Sequence, residues 1–231
     1  MRLLLSCEHA SPLIPEPYGE LLAGARHLLD SHLGFDIGAA TVCRGLEGLA
    51  EAAFYGGCSR LLIDLNRSLH HRGLFSEFSR HLSRAAKDEI VARYYTPFRN
   101  AVLVAVERAL GQYRGLAHIA VHSFTPILNG VVRSNDFGLL YDPRRQGEKE
   151  LARRLMAAMR TTDPELSIRM NSPYRGVADG HTTALRRRFG DGGYLGLEVE
   201  INQNLVVDDR GRSAVAALLT EALRQCGIGR G

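Results

Sequence analysis

Residues 117–126, AHIAVHSFTP, contain the pattern around which the rest of the chain is organised. The small and apolar residues from Ala117 to Val121 predict a short buried strand, and the polar His122-Ser123 pair follows where that strand would end. Open α/β sheets bind ligands at the carboxyl ends of their strands, so a histidine at this point can reach a ligand. His122 could also be a hydrogen-bonded core histidine, and this stretch alone leaves both interpretations open.

The composition describes an ordinary globular chain. Its 231 residues are 45% hydrophobic and 23% charged, which is enough to bury a full core, and we expect one compact domain over residues 1–231. The net charge is only +4, and the densest basic run, Arg186-Arg187-Arg188, is expected to form a solvated face. This charge pattern argues against a nucleic-acid partner.

The four cysteines have no CxxC spacing, so we expect free thiols in a reducing cytosol. The apolar opening MRLLLS is too short for a signal-peptide core. No apolar run approaches the roughly 18 residues that a membrane span requires. We therefore expect a cytoplasmic protein without a membrane partner; the sequence does not indicate an oligomeric state.

Apolar runs alternate with helical patterns along the chain. Strands are predicted at residues 3–5, 60–63, 117–121, 137–141 and 194–202, and helices at 37–53, 83–113, 148–159 and 214–226; Pro97 is expected to kink or divide the second helix near Tyr95. Strands that alternate with helices are typical of a mainly parallel sheet with helices on both faces. The sequence therefore predicts the α/β class.

Polar side chains lie where several of these elements begin or end. His9 follows the first strand, and Asp36 precedes a helix, where it can cap the helix or bind a metal. His32, four residues before Asp36, is a reserve candidate. Two histidines and one carboxylate can form a catalytic zinc site whose bound water has a lowered pKa, although no local signature such as HExxH is present.

Two further segments suggest a site for an acidic small molecule. The Arg67 guanidinium beside the Asn66 amide can hold a carboxylate, although Asp-x-Asn-Arg clusters are also common in surface turns. The turn-rich loop at residues 171–176, NSPYRG, presents Arg175. In the strand at 194–202, Glu198 and Glu200 share one face. This face is either solvated or directed into a cleft, where one of the two carboxylates could act as a general base.

Six separated motifs, in order over nearly the whole chain, resemble the N-formylglutamate amidohydrolase family: SCEHA, HLGFDIGA, SRLLIDLNRS, VHSFTP, NSPYRG and GLEVEIN. The chain is similar to the branch of predicted members, since the deformylase branch has Pro-His-Ser-Gly where this chain has Cys-Glu-His-Ala at residues 7–10. The resemblance implies a single-domain three-layer sandwich with a mixed, mainly parallel sheet, zinc-carboxypeptidase-like (phosphorylase/hydrolase-like). It also implies hydrolysis, with one zinc ion, of the amide bond of a small N-acyl amino acid, N-formylglutamate or a close relative.

The resemblance implies roles in the metal centre. His9 and His122 match its two histidines, and Asp36 matches an aspartate that recurs in both branches. The related zinc peptidases have His-x-x-Glu spacing, but position 12 here is Pro12, so Glu8 is the alternative carboxylate ligand.

Roles on the substrate side are implied in the same way. Asn66 and Arg67 match the pair that faces the substrate carboxylate in the related aspartoacylases. Glu200 matches the glutamate that the deformylase branch keeps, which makes it the predicted proton shuttle in preference to Glu198. The alternative hypothesis is a non-catalytic binding protein with the same fold, which binds an acidic small molecule through Asn66, Arg67 and Arg175.

Overall fold

The computed structural model describes residues 1–190 and 192–230. Its strands are β1 (Arg2–Cys7), β2 (Ala52–Tyr55), β3 (Leu116–Phe124), β4 (Ile127–Leu128), β5 (Val131–Val132), β6 (Phe137–Leu140), β7 (Ile168–Met170) and β8 (Tyr194–Asn202). One sheet has the order β2-β1-β3-β8-β6-β7, and β4 pairs with β5 in a separate hairpin. β6 and β8 are antiparallel, whereas the other neighbours in the large sheet are parallel.

The helices are α1 (Ala39–Gly45), α2 (Arg84–Ile90), α3 (Thr96–Gln112), α4 (Gln146–Thr162), α5 (His181–Phe189) and α6 (Asp209–Gln225). A π-helical segment, Val91–Tyr95, joins α2 to α3 and ends at Tyr95, near which the sequence predicts a kink or a division. In the part of the chain that the structure describes, no helix is both long enough and apolar enough to cross a membrane.

The two faces of the sheet differ in chemistry, because successive side chains of a strand point to opposite faces. On one face, Ala117, Ile119 and Val121 of β3 belong to the main apolar core, which includes side chains of α1, α4 and α6. On the other face, β3 carries His118 and His122, and the apolar cluster there draws on α3 and α5. The predicted architecture, a mixed and mainly parallel sheet between helices, is confirmed.

The strand predicted at 60–63 is wrong. This run forms turns in which the amides of Leu62 and Ile63 donate to the carbonyl of Ser59, at 2.9 and 3.4 Å. Its apolar side chains are nevertheless buried, and Leu62 and Ile63 belong to a separate cluster with Tyr18 and Ile90. An apolar run of four residues predicts burial correctly, but it does not determine the backbone conformation.

The helix predicted over 37–53 is too long, because α1 ends at Gly45 and β2 begins at Ala52. The N-cap of α1 is Gly38, whose φ of 79° suits glycine, so the capping role considered for Asp36 is also wrong. The Asp36 side chain is buried and available for other contacts.

For the strand at 194–202, one of the two alternatives is excluded, and for Arg186 the expected solvent exposure is wrong. β8 is buried along nearly its whole length between β3 and β6, so its acidic face is not solvated. Arg186 is buried, and its Nε lies 3.0 Å from Oε1 of the buried Glu148, whereas Arg187 and Arg188 are exposed as predicted. The four cysteines are buried free thiols, as expected.

Candidate active site

The three predicted metal ligands come together at one edge of the sheet. β1 and β3 are parallel neighbours, so His9, just beyond β1, lies near His122 on β3. The backbone amide of Asp36 donates to the carbonyl of His9, at 3.0 Å, and brings the third residue to the same place. One potential ligand atom from each of the three buried side chains lies within 4.8 Å of the other two.

The Asp36 carboxylate lies between the two imidazoles. Its Oδ2 is 2.8 Å from Nδ1 of His122 and 3.3 Å from Nδ1 of His9. Burial alone would raise the pKa of Asp36, but the charges of the two histidines and their hydrogen bonds hold it below its usual range. Conversely, burial would lower the pKa of His122, and Asp36 and Glu8 outweigh that effect and raise it.

Arg60 also contributes to this cluster. Its Nη1 lies 3.3 Å from Oδ1 of Asp36, and its Nη2 lies 3.0 Å from Oδ2 of Asp64. One guanidinium therefore bridges two buried carboxylates. From the sequence, Arg60 falls in a predicted strand and no function is predicted for it; its spacing of four residues from Asp64 is the available signal.

A glutamate on the neighbouring strand faces the same site. In the β3 to β8 pairing, His122 lies opposite Glu200. Within the described residues, no atom makes a hydrogen bond to the buried Oε2 of Glu200. Burial raises the pKa of Glu200 to about 7; the charges of Asp36 and Glu198 also raise it, while that of His122 opposes them.

Glu198 has a different environment from Glu200. Its Oε1 accepts a hydrogen bond from Oγ1 of Thr182, the second residue of α5. Both carboxylates border the same cavity, but only Glu198 is engaged by a hydroxyl group of α5.

A cavity of about 260 Å³ opens onto this cluster. Its lining includes every predicted site residue, and Ser123, Tyr174 and Asp179 in addition; the predicted ones are His9, Asp36, Asn66, Arg67, His122, Arg175 and Glu200. His32, the reserve candidate, is not among the residues that line it in the described chain. A larger groove of about 790 Å³ runs beside α6, and its lining in the described chain contains no histidine and none of the predicted site residues.

Asn66 and Arg67 are tied to the segment that leads into α5. Oδ1 of Asn66 accepts the backbone amide of His181, at 2.7 Å, and Nη1 of Arg67 donates to the carbonyl of Asp179, at 2.8 Å. These contacts fix both side chains in the cavity wall. Arg175, by contrast, is exposed at the cavity rim.

Comparison with known proteins identifies relatives. Residues 1–207 match the family model described as N-formylglutamate amidohydrolase. The structure is similar to that of gene product Atu2144 from Agrobacterium tumefaciens, with 28% identity, a TM-score of 0.83, and coverage of 97% of this chain and 90% of that chain. It is also similar to N-formylglutamate amidohydrolase from Ralstonia eutropha JMP134, with 21% identity, a TM-score of 0.70, and coverage of 97% and 92%. No curated protein matches the sequence.

Proposed function

Because this chain belongs to the N-formylglutamate amidohydrolase family, we propose that it is a zinc-dependent hydrolase of the amide bond in a small N-acyl amino acid. N-formylglutamate or a close relative is the proposed substrate, and residues 1–231 form the proposed catalytic domain. The observation that carries the proposal is the convergence of Asp36 with His9 and His122 on a cavity that also contains Glu200. We propose a cytoplasmic location without nucleic-acid or membrane partners.

The three side chains suit zinc. Two imidazole nitrogens and one carboxylate oxygen are the donors of many catalytic zinc sites, which keep a further position open. Oδ1 of Asp36 is engaged by Arg60, so Oδ2 is the oxygen proposed to bind the metal. When bound, zinc supplies Lewis-acid polarisation of a carbonyl group and lowers the pKa of water. Asp36 is proposed as the carboxylate ligand rather than Glu8, which lies beside the other ring nitrogen of His122.

Glu200 is proposed as the proton shuttle. Its buried Oε2 is unbonded within the described chain, and a pKa of about 7 lets the carboxylate both accept and release a proton near neutral pH. Glu200 would take a proton from the attacking water and deliver it to the departing nitrogen. Glu198 is less suited, since Thr182 already donates a hydrogen bond to its carboxylate.

Asn66, Arg67 and Arg175 are proposed to bind the carboxylates of the substrate. The contacts of Asn66 and Arg67 with the α5 segment hold a polar amide and a guanidinium at fixed positions in the wall. Arg175 comes from a different loop, at the rim of the same cavity. Arginines from two separate segments suit a small substrate that carries two carboxylates, as N-formylglutamate does.

The test is reconstitution of turnover. The protein is purified, treated with a chelator, and assayed with N-formyl, N-acetyl and N-succinyl derivatives of glutamate and aspartate, before and after addition of zinc. We expect amino-acid release that disappears with the chelator and returns with zinc. If zinc-loaded protein binds these compounds but releases no amino acid, it is the non-catalytic binding protein of the alternative hypothesis.

A further inference from the structure

We propose that Asp179 is a positioning residue, which fixes Arg67, the proposed substrate-binding arginine, through both its side chain and its backbone carbonyl. The inference rests on the proposed function, because it assumes that Arg67 binds a carboxylate of the substrate. It assigns a role to a residue of the cavity lining that has no part in the proposed reaction itself.

Asp179 holds Arg67 at two points. Its carbonyl oxygen accepts a hydrogen bond from Nη1 of Arg67, at 2.8 Å. Its Oδ2 accepts the backbone amide of Ser68, the residue after Arg67, at 2.9 Å. One residue therefore fixes both the guanidinium and the adjoining backbone. An arginine that is held before the substrate arrives binds it at a lower entropic cost, because less rotamer freedom is lost on binding.

The segment that follows Asp179 is anchored in the interior of the protein. His181, the first residue of α5, has its Nδ1 atom 2.9 Å from Oε1 of the buried Glu8. The next residue, Thr182, donates through Oγ1 to Oε1 of Glu198 on β8. Because the start of α5 is fixed in this way, Asp179 can serve as a support for the arginine.

The contacts with this segment leave donors free for the substrate. A backbone amide can only donate, so the amide of His181 at 2.7 Å occupies the oxygen of the Asn66 side chain and leaves its Nδ2 group. The carbonyl of Asp179 occupies Nη1 of Arg67 and leaves Nη2. Within the described residues, neither of these two remaining groups makes a hydrogen bond to the protein. Fixed donors in a cavity wall suit an ionised carboxylate, which can only accept.

The experiment compares three substitutions of Asp179, each shown by circular dichroism to be folded. Asp179→Ala removes the oxygen that accepts the Ser68 amide, whereas Asp179→Asn keeps this acceptor without the charge. Asp179→Glu keeps the charge but displaces the carboxylate by one methylene group. Asp136→Ala is the matched control, because Asp136 is also half-buried and its Oδ2 accepts the Ser167 amide, likewise at 2.9 Å, outside the cavity lining.

Two quantities are measured on zinc-loaded protein. Calorimetry gives the Kd of glutarate, a dicarboxylate without an amide bond, and amino-acid release gives KM and kcat for N-formyl-L-glutamate. We expect Asp179→Ala to raise Kd and KM about 3- to 10-fold, as for the loss of one hydrogen bond, with kcat changed by less than about 2-fold. Asp179→Asn and the control should stay within about 2-fold of the wild type, and Asp179→Glu should resemble Asp179→Ala.

Two results would overturn the inference. An Asp179→Asn variant that binds as weakly as Asp179→Ala would show that the charge of Asp179 acts directly on the ligand. The second result concerns a double-mutant cycle, in which Asp179→Ala should have a smaller effect in protein that also carries Arg67→Ala. An equal effect in both backgrounds would show that Asp179 does not act through Arg67.

The remaining outcomes separate the inference from the proposed function. A wild type that binds neither glutarate nor N-formyl-L-glutamate contradicts the proposed role of Arg67 and the inference together. A wild type that binds both compounds but releases no glutamate contradicts the proposed catalysis alone, and the Kd values of glutarate still decide the inference. Should Asp179→Ala not fold, equal Kd values for Asp179→Asn and Asp179→Glu would overturn the inference.

Discussion

Replacing Glu200 by glutamine is expected to make the metal-free protein more stable at neutral pH. Burial raises the pKa of the Glu200 carboxyl from 4.5 to about 7, so the folded state disfavours the charged form relative to the unfolded state. Below pH 4.5 the carboxyl is protonated in both states. As the pH rises from 4.5 towards 7, the unfolded state releases this proton first and stability is lost. Glutamine does not ionise and avoids this loss.

The size of the expected stability gain follows from the rise in the pKa of Glu200. A pKa difference of about 2.5 units corresponds to roughly 3 kcal/mol, most of which develops between pH 5 and pH 8. The stability advantage of Glu200→Gln over the wild type should therefore grow by about 2 to 3 kcal/mol over this range. Taking the change with pH cancels any constant difference in packing between the two side chains.

Urea unfolding at several pH values, with a chelator present, measures the difference in stability between Glu200→Gln and the wild type at each pH. Glu77→Gln, a substitution of an exposed glutamate, is the control. If the advantage of Glu200→Gln is the same at pH 5 and pH 8, the Glu200 carboxyl does not have the raised pKa that its proposed role as proton shuttle requires.

Three further predictions test separate parts of the site and fold. Glu200→Gln should keep its zinc but lose about 10² to 10⁴ in kcat, and measuring Glu198→Gln alongside shows which glutamate is the shuttle. Arg67→Ala should lose about 1.5 to 3 kcal/mol of substrate binding, seen as a raised KM, and Arg67→Lys should not restore it; unchanged kinetics would exclude a role in binding. Arg186→Met removes one of the two guanidinium groups beside the buried Glu148 carboxylate, the other being that of Arg145, and should destabilise the protein by about 1.5 to 3 kcal/mol in urea unfolding, whereas a loss below about 1 kcal/mol would contradict a structural role for the Arg186–Glu148 pair.

The parts of the fold that the sequence predicts are those with a strong local pattern. β3 and β8 are recognisable because a short apolar run and a strictly alternating run are both typical of β-strands. The meeting of His9 with His122 follows from a rule of parallel sheets, in which neighbouring strands end at the same edge. The convergence of the candidate ligands could therefore be expected before any distance was known.

The contacts of Arg186 and Glu8 could not be predicted from the sequence because they depend on partners that are distant in the chain. Arg186 is buried because Glu148, 38 residues earlier, accepts its hydrogen bond, and a basic run gives no local sign of that pairing. The carboxylate of Glu8 faces His122 rather than the adjacent His9, which spacing cannot show. In the run at 60–63, burial was predicted correctly and the backbone wrongly, since apolar composition determines the first and not the second.

The zinc content of purified His122→Ala tests the central claim most directly. Removing one of the two imidazoles leaves Asp36 and His9, which is too few protein ligands for tight binding. His27→Ala, which removes an exposed histidine, is the matched control. We predict about one zinc ion per chain in the wild type and in His27→Ala, and almost none in folded His122→Ala. Full zinc occupancy in folded His122→Ala would contradict the proposed metal centre.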